Sequence, residues 1–158
     1  IDGLLSAVDF IKLREIEEGA QVNYVGEEAK EVLPDYFKTK TICFVVPGKV
    51  EKGEQDLVIR FPYAGNVVGV SASLGIEGTD STSIHIYKIS KQDYKDKLDW
   101  TPVLSRELNI DYGERIDDGL VEIDEVNKQV SVDDHFKINV TQAGIGAANL
   151  CVQIEIQI

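Results

Sequence analysis

Residues 150–158 read Leu-Cys-Val-Gln-Ile-Glu-Ile-Gln-Ile. Leu150, Val152, Ile154, Ile156 and Ile158 fall on one side of an extended chain, and Cys151, Gln153, Glu155 and Gln157 on the other. Successive side chains of a strand point to opposite faces of a sheet, so a period of two marks a strand with one buried face. A helix would scatter the five aliphatic residues around its axis. The same period recurs upstream. Phe136, Ile138 and Val140 alternate with Lys137, Asn139 and Thr141. Val68, Val70, Ala72 and Leu74 alternate with Gly69, Ser71 and Ser73. Leu57, Ile59 and Phe61 alternate with Val58 and Arg60, and Ile84 and Ile86 flank His85. Thr41–Val46, Val103–Ile110, Leu120–Ile123 and Gln129–Val132 add further candidates. Eight or nine strands over residues 41–158, separated by turn signals, predict an antiparallel β-sandwich of jelly-roll type rather than a helical or βαβ fold. The connector Gln142–Asn149 contains Gly144 and Gly146, so the last two strands are expected to form a hairpin.

The first forty residues have a different character. Ser6, with Asp9 three residues on, resembles a capping box, and acid at Asp9 suits the positive end of a helix. Gly19 follows the last periodic residue and can close the helix in the left-handed conformation. The pattern predicts a helix over about 7–18. Val8, Phe10, Ile11, Leu13 and Ile16 spread over more than one face, and a single helix of this length is marginal in water. Its apolar residues need a cover. The division expected is therefore a helix–turn segment, 1–40, ahead of a β-domain, 41–158.

Composition narrows the function. The chain has 158 residues, 43% apolar and 28% charged, which suits a folded domain with a core. Sixteen basic against 28 acidic residues give a net charge of −12. Nucleic-acid binders and proteins that dock on anionic membranes need clustered cations, so both are disfavoured. No apolar run approaches the length of a membrane span. The chain opens on Ile1 and shows no basic segment followed by an apolar one, so the expectation is a processed product or a piece of a longer protein without a visible signal peptide.

The stretch Phe10-Ile-Lys-Leu-Arg-Glu-Ile-Glu-Glu-Gly-Ala-Gln-Val-Asn23 resembles a helix–turn unit common in tailed-bacteriophage fibre and baseplate proteins, which reads roughly K-L-x-x-I-E-E-G-A-x-x-N. Lys12, Leu13, Ile16, Glu17, Glu18, Gly19, Ala20 and Asn23 match it, while Arg14-Glu15 replaces the usual glycine. The later region is similar to a second phage virion module. Its marks are Phe61-Pro-Tyr-Ala-Gly-Asn-Val-Val-Gly-Val-Ser-Ala72, Trp100-Thr-Pro-Val-Leu-Ser105, Asp134-His-Phe-Lys-Ile-Asn-Val140 and the terminal Leu150–Ile156 alternation. Together these stretches span roughly three quarters of the chain. The resemblance implies a trimeric virion protein assembled in the host cytoplasm: a stalk end joined to a globular knob, in a tail fibre, a baseplate receptor-binding protein or a head fibre. Its implied partners are two further copies of itself, other virion proteins and a host-surface glycan.

The physics of the first segment agrees with such a role. If three copies of residues 4–25 meet on one axis, Leu5, Val8, Ile11, Leu13, Ile16 and Val22 bury against their symmetry mates. At about 25 cal/mol per Å² of apolar surface this offsets an ordering cost that one chain cannot meet. The competing reading packs the helix on its own β-domain. Two classes stand beside the attachment protein: a head fibre or capsid decoration element, and a glycan depolymerase, esterase or carbohydrate-binding module.

The residues give little support to catalysis. Nucleophilic hydrolysis needs a Ser or Cys near His and a carboxylate. Only His85 and His135 exist, no Ser sits in a G-x-S-x-G context, and His85 is expected on an outer strand face. The acid pairs Asp117-Asp118, Asp124-Glu125 and Asp133-Asp134 fall where turns are expected and where Asp suits the local backbone. They lack the EF-hand spacing of a calcium loop. No enzyme activity, metal or cofactor is therefore expected. Cys43, between Ile42 and Phe44, reads as a small buried hydrophobe. Cys151 shares the polar side of its strand. Free thiols are the default in a reducing compartment, and sequence leaves open whether the two pair. The longest polar insertion is Ser90–Trp100, and its Tyr94, Asp96 and Trp100 are the candidate receptor contacts, because aromatic faces beside hydrogen-bonding groups suit sugars and loops on rigid sheets carry function. The competing role for Trp100 is to plug one end of the sandwich.

Overall fold

A computed structural model describes residues 38–158. The helix expected over 7–18, and with it Leu5, Val8, Ile11, Leu13, Ile16 and Val22, lies outside the described residues.

The described chain is mainly β. Its strands are β1 Thr39–Lys49, β2 Gly53–Glu54, β3 Ile59–Phe61, β4 Gly65–Ile76, β5 Thr82–Ile89, β6 Thr101–Pro102, β7 Leu104–Arg106, β8 Leu108–Ile110, β9 Glu122–Ile123, β10 Gln129–Val130, β11 Asp134–Gln142 and β12 Ala148–Gln157. One short helix, α1 Lys91–Lys95, interrupts them. All pairings are antiparallel. Sheet I has the order β1-β12-β4-β10. In sheet II, β11 lies between β5 on one side and β2 with β3 on the other, and β5 also pairs with β6 and β8. A small third sheet joins β7 to β9.

The alternation of β12 explains its central place. Leu150, Val152, Ile154 and Ile156 are fully buried, each contributing roughly 1.5–3 kcal/mol relative to exposure. Ile42 and Phe44 of β1 and Ala72 and Leu74 of β4 point the same way. Sheet II answers with Ile84 and Ile86 of β5, Phe136, Ile138 and Val140 of β11, and Leu108 and Ile110 of β8. These residues form one hydrophobic cluster fed by both sheets.

Two expectations are corrected. The last two long strands do not form a hairpin: β11 pairs with β2, β3 and β5, and β12 pairs with β1 and β4. The connector carries the chain from one sheet to the other. Gly144 is buried in it, its amide donates to Thr82 Oγ1 at 3.0 Å, and a side chain there would run into the Asp80 carbonyl oxygen. Gly146 takes φ +81°, which favours glycine. These glycines signal a close backbone crossing rather than a tight turn between paired strands. Cys43 is exposed, not buried. The register Ile42↔Ile154 and Phe44↔Val152 sends its two neighbours inward and leaves Cys43 on the outer face. An apolar run read as buried on both sides belongs to a strand of an antiparallel sheet with one wet face.

The insertion after β5 is ordered by local chemistry. Ser90 Oγ accepts from the Asp93 amide at 3.1 Å and caps α1. Lys97, at φ +58°, turns the chain back toward β6.

Candidate functional site

The outer face of sheet II gathers five rings of the β-domain. Because Ile84 and Ile86 point into the core, His85 and Tyr87 of β5 point out. Because Phe136 and Ile138 point in, His135, Lys137 and Asn139 of β11 also point out. Register sets Tyr87 opposite Lys137 and His85 opposite Asn139. The insertion then adds two rings: α1 presents Tyr94, and Trp100 directly precedes β6, which is held beside β5 by the pairing of Tyr87 with Pro102.

The rings form a connected surface. His135 stacks on Tyr94 with centroids 4.7 Å apart and planes 27° from parallel. Tyr94 meets Trp100 edge-on at 5.6 Å. His85 stacks on Tyr87 at 4.8 Å. Lys137 links the two groups: its ammonium lies 4.5 Å from the Trp100 ring centroid and 5.9 Å from that of Tyr87. This lysine is only 9% exposed. A buried ammonium is costly unless paired, and here the ring faces and Glu54 Oε1 at 3.0 Å supply the compensation. His135 Nδ1 is buried and meets no hydrogen-bond partner among the described residues.

Polar groups continue the face in both directions. Ser83 Oγ donates to Asn109 Oδ1 at 3.1 Å, and Thr141 Oγ1 donates to Glu107 Oε2 at 2.7 Å. At the other end Asp133 meets Arg60 at 2.5 Å and Lys91 at 3.7 Å. Beneath that end, at the edge of the core, Lys88 donates to the Gln129 carbonyl. Burial pushes the Lys88 amine below its usual range, against the pull of Asp134. Burial likewise lifts the Asp134 carboxyl, although it accepts from the Ser131 amide at 2.9 Å.

No protein-family model, characterised protein or solved structure matches this chain.

Of the receptor contacts expected from sequence, the structure brings Tyr94 and Trp100 together. Asp96 stands apart: it accepts from Gln92 Nε2 at 2.8 Å as part of the end of α1. Trp100 joins the outer rings through Tyr94 and Lys137. His85, Tyr87, His135 and Lys137 join this face beyond the contacts that the sequence predicts. Alternation alone places each of them on an outer face, but the register that gathers them is a long-range property.

Of the acid pairs, Asp117, Asp118, Asp124 and Asp134 accept from backbone amides, while Glu125 and Asp133 meet Lys128 and Arg60. Asp117 accepts from the Ala72 amide at 2.9 Å and the Gly119 amide at 3.0 Å. Asp118 accepts from Leu120, and Asp124 from Val126, both at 2.9 Å. Among the described residues neither histidine hydrogen-bonds a Ser or Cys side chain. The outer face of sheet II thus presents rings bordered by amide, hydroxyl and carboxylate groups.

Proposed function

We propose that the chain is a non-enzymatic, trimeric bacteriophage virion fibre protein whose β-domain attaches to a host-surface glycan through the ring face of sheet II. The observation that carries this reading is the connected set Tyr87, Tyr94, Trp100, His135 and Lys137. Sugars present apolar C–H faces and a rim of hydroxyls, and such a face offers rings for the first and hydrogen-bonding groups for the second.

The finer architecture is part of the same proposal. Strand order β1-β12-β4-β10 in one sheet and β2/β3-β11-β5-β6/β8 in the other suits a jelly roll. Among the described residues the first and last strands lie side by side, and the chain changes sheet after β1, after β3, after β4, before β10, after β10 and after β11. That order supports a reading as two interleaved Greek keys, a plan shared by viral and lectin domains. The helical stalk over 1–40 rests on the sequence resemblance and on apolar residues that need a cover.

Trp100 is the chain's one tryptophan, so the site carries its own reporter. Titrating host-wall polysaccharide should shift or quench its fluorescence saturably. Tyr94→Ala and Tyr87→Ala should weaken the response at least tenfold, about 1.4 kcal/mol each, with melting temperatures that remain cooperative. A spectrum unmoved by wall polymers of susceptible hosts refutes attachment through this face. Sedimentation equilibrium should give about three times 17.5 kDa. A single 17–18 kDa species at micromolar concentration refutes the trimer.

A further inference from the structure

The outer face of sheet I carries a second feature, independent of the ring face. Cys43 of β1 and Cys151 of β12 both point outward, and their Sγ atoms are 3.2 Å apart. Register places Cys43 opposite Gln153 and Val45 opposite Cys151, so the two cysteines are diagonal neighbours across one strand pair. We propose that Cys43 and Cys151 are a built cross-link site, which closes to an intramolecular disulfide in an oxidising medium and staples β1 to the centre of sheet I.

The geometry favours closure. A disulfide needs its sulfurs about 2.05 Å apart, so the pair must approach by little more than an ångström. β1 is the edge of sheet I, paired among the described residues with β12 alone, so it can yield to a small side-chain rotation. The surrounding surface leaves room: Ser73 faces Cys151, Ser71 faces Gln153, and Gly69 faces Glu155. Both thiols are accessible, Cys43 being exposed and Cys151 half-buried. The Cys151 thiol is pushed up to about 11 by burial and by the neighbouring Cys43 sulfur. Cys43, the more exposed of the two, is the sulfur that an oxidant in solution reaches first.

With oxidised glutathione as oxidant the electrons balance. The Cys43 thiolate attacks one glutathione sulfur, forming a mixed disulfide and releasing one glutathione thiolate. Cys151 then loses its proton to solvent and attacks Sγ of Cys43, releasing the second glutathione. Two protein thiols are oxidised and one glutathione disulfide is reduced to two thiols. The bond spans a sequence separation of 108 residues, and cross-links over long separations restrict the unfolded chain most.

The test uses the full chain. Incubated with oxidised glutathione, it should become about 2 Da lighter, the mass of two hydrogens. Unreduced peptide mapping should show Cys43 joined to Cys151 of the same molecule. The melting midpoint should rise by roughly 10 °C and return on treatment with dithiothreitol. Cys43→Ser and Cys151→Ser, conservative changes on a serine-bearing face, should each abolish both the mass loss and the rise. Thiols that both remain open to alkylation overturn the proposal. So do stable glutathione adducts or bonds between molecules. A bond formed without a rise in melting midpoint overturns the stapling role.

Discussion

Lys137 and Trp100 offer the sharpest test of whether the ring face of sheet II is assembled before any ligand arrives. The Glu54 carboxylate and the rings of Trp100 and, farther off, Tyr87 hold the Lys137 ammonium. The carboxylate of Glu54 sits 3.0 Å away, but its side chain is 64% exposed, so that pair is largely screened and contributes about 0.5 kcal/mol. The Trp100 ring lies 4.5 Å from the ammonium, over a lysine that is 9% exposed. A cation over tryptophan ranges from about 0.5 kcal/mol when wet to about 2 when desolvated. A coupling of about 1 kcal/mol between Lys137 and Trp100 is therefore expected, larger than that between Lys137 and Glu54. The measurement is a double-mutant cycle with Lys137→Met, Trp100→Leu and the double variant, by urea unfolding at one fixed protomer concentration. Unchanged m-values are required, so that only stability is compared. Additivity within about 0.3 kcal/mol would mean that the ring and the ammonium do not sense each other. The preassembled face, and the attachment reading built on it, would then lose their support.

Three further outcomes follow from the packing. Thr82→Val removes the acceptor of the Gly144 amide at a fully buried position, and the stranded donor should cost about 1–3 kcal/mol in urea unfolding; an unchanged midpoint would contradict the crossing described between β11 and β12. Gly144→Ala pushes a methyl toward the Asp80 carbonyl oxygen and should cost about 1–3 kcal/mol, with hydrogen exchange quickening at Thr79 and Ala147 first; exchange confined to distant strands would argue otherwise. Asp134 has a folded-state carboxyl raised by burial, so the native state binds its proton before the unfolded chain does. Its contribution to stability should fall as pH rises upward from about 4 through the raised value. The stability of wild type minus that of Asp134→Asn should decline over that window, and a difference that climbs with pH would reverse the sign.

Much of the strand content was legible because the signal is local. The alternation over Leu150–Ile158 and over Phe136–Thr141 needs no partner to be read, and both segments are strands with the inward residues expected. Pairing was not legible. Gly144 and Gly146 look the same to sequence whether they turn a hairpin or let two backbones pass, and only the neighbouring Asp80 and Thr82 decide between these. Cys43 differs from its sequence expectation for a related reason: Ile42 and Phe44 suggest burial all round, whereas a strand with one face on the core and one on solvent hides one side only. At the candidate site, Tyr94 and Trp100 stood out because they are aromatic residues in a polar insertion. His85, Tyr87, His135 and Lys137 come together through the register of β5 against β11, across a separation that no short motif records. The short helix at Lys91–Lys95 was hidden within what read as a polar loop, although Ser90 and Asp93 carry its cap.

The amide of Ile158 donates to the carbonyl of Lys38 at 2.9 Å. The two extremities of the described fold are thus a single hydrogen bond apart, beside the start of β1 and the finish of β12. A β-domain wired in this way can be grafted as a cassette into a surface loop of an unrelated host protein, because both splice points fall within a few ångströms and neither host flank has to be pried open. It also makes a natural candidate for circular permutation, with fresh termini opened at the exposed residues 96–98.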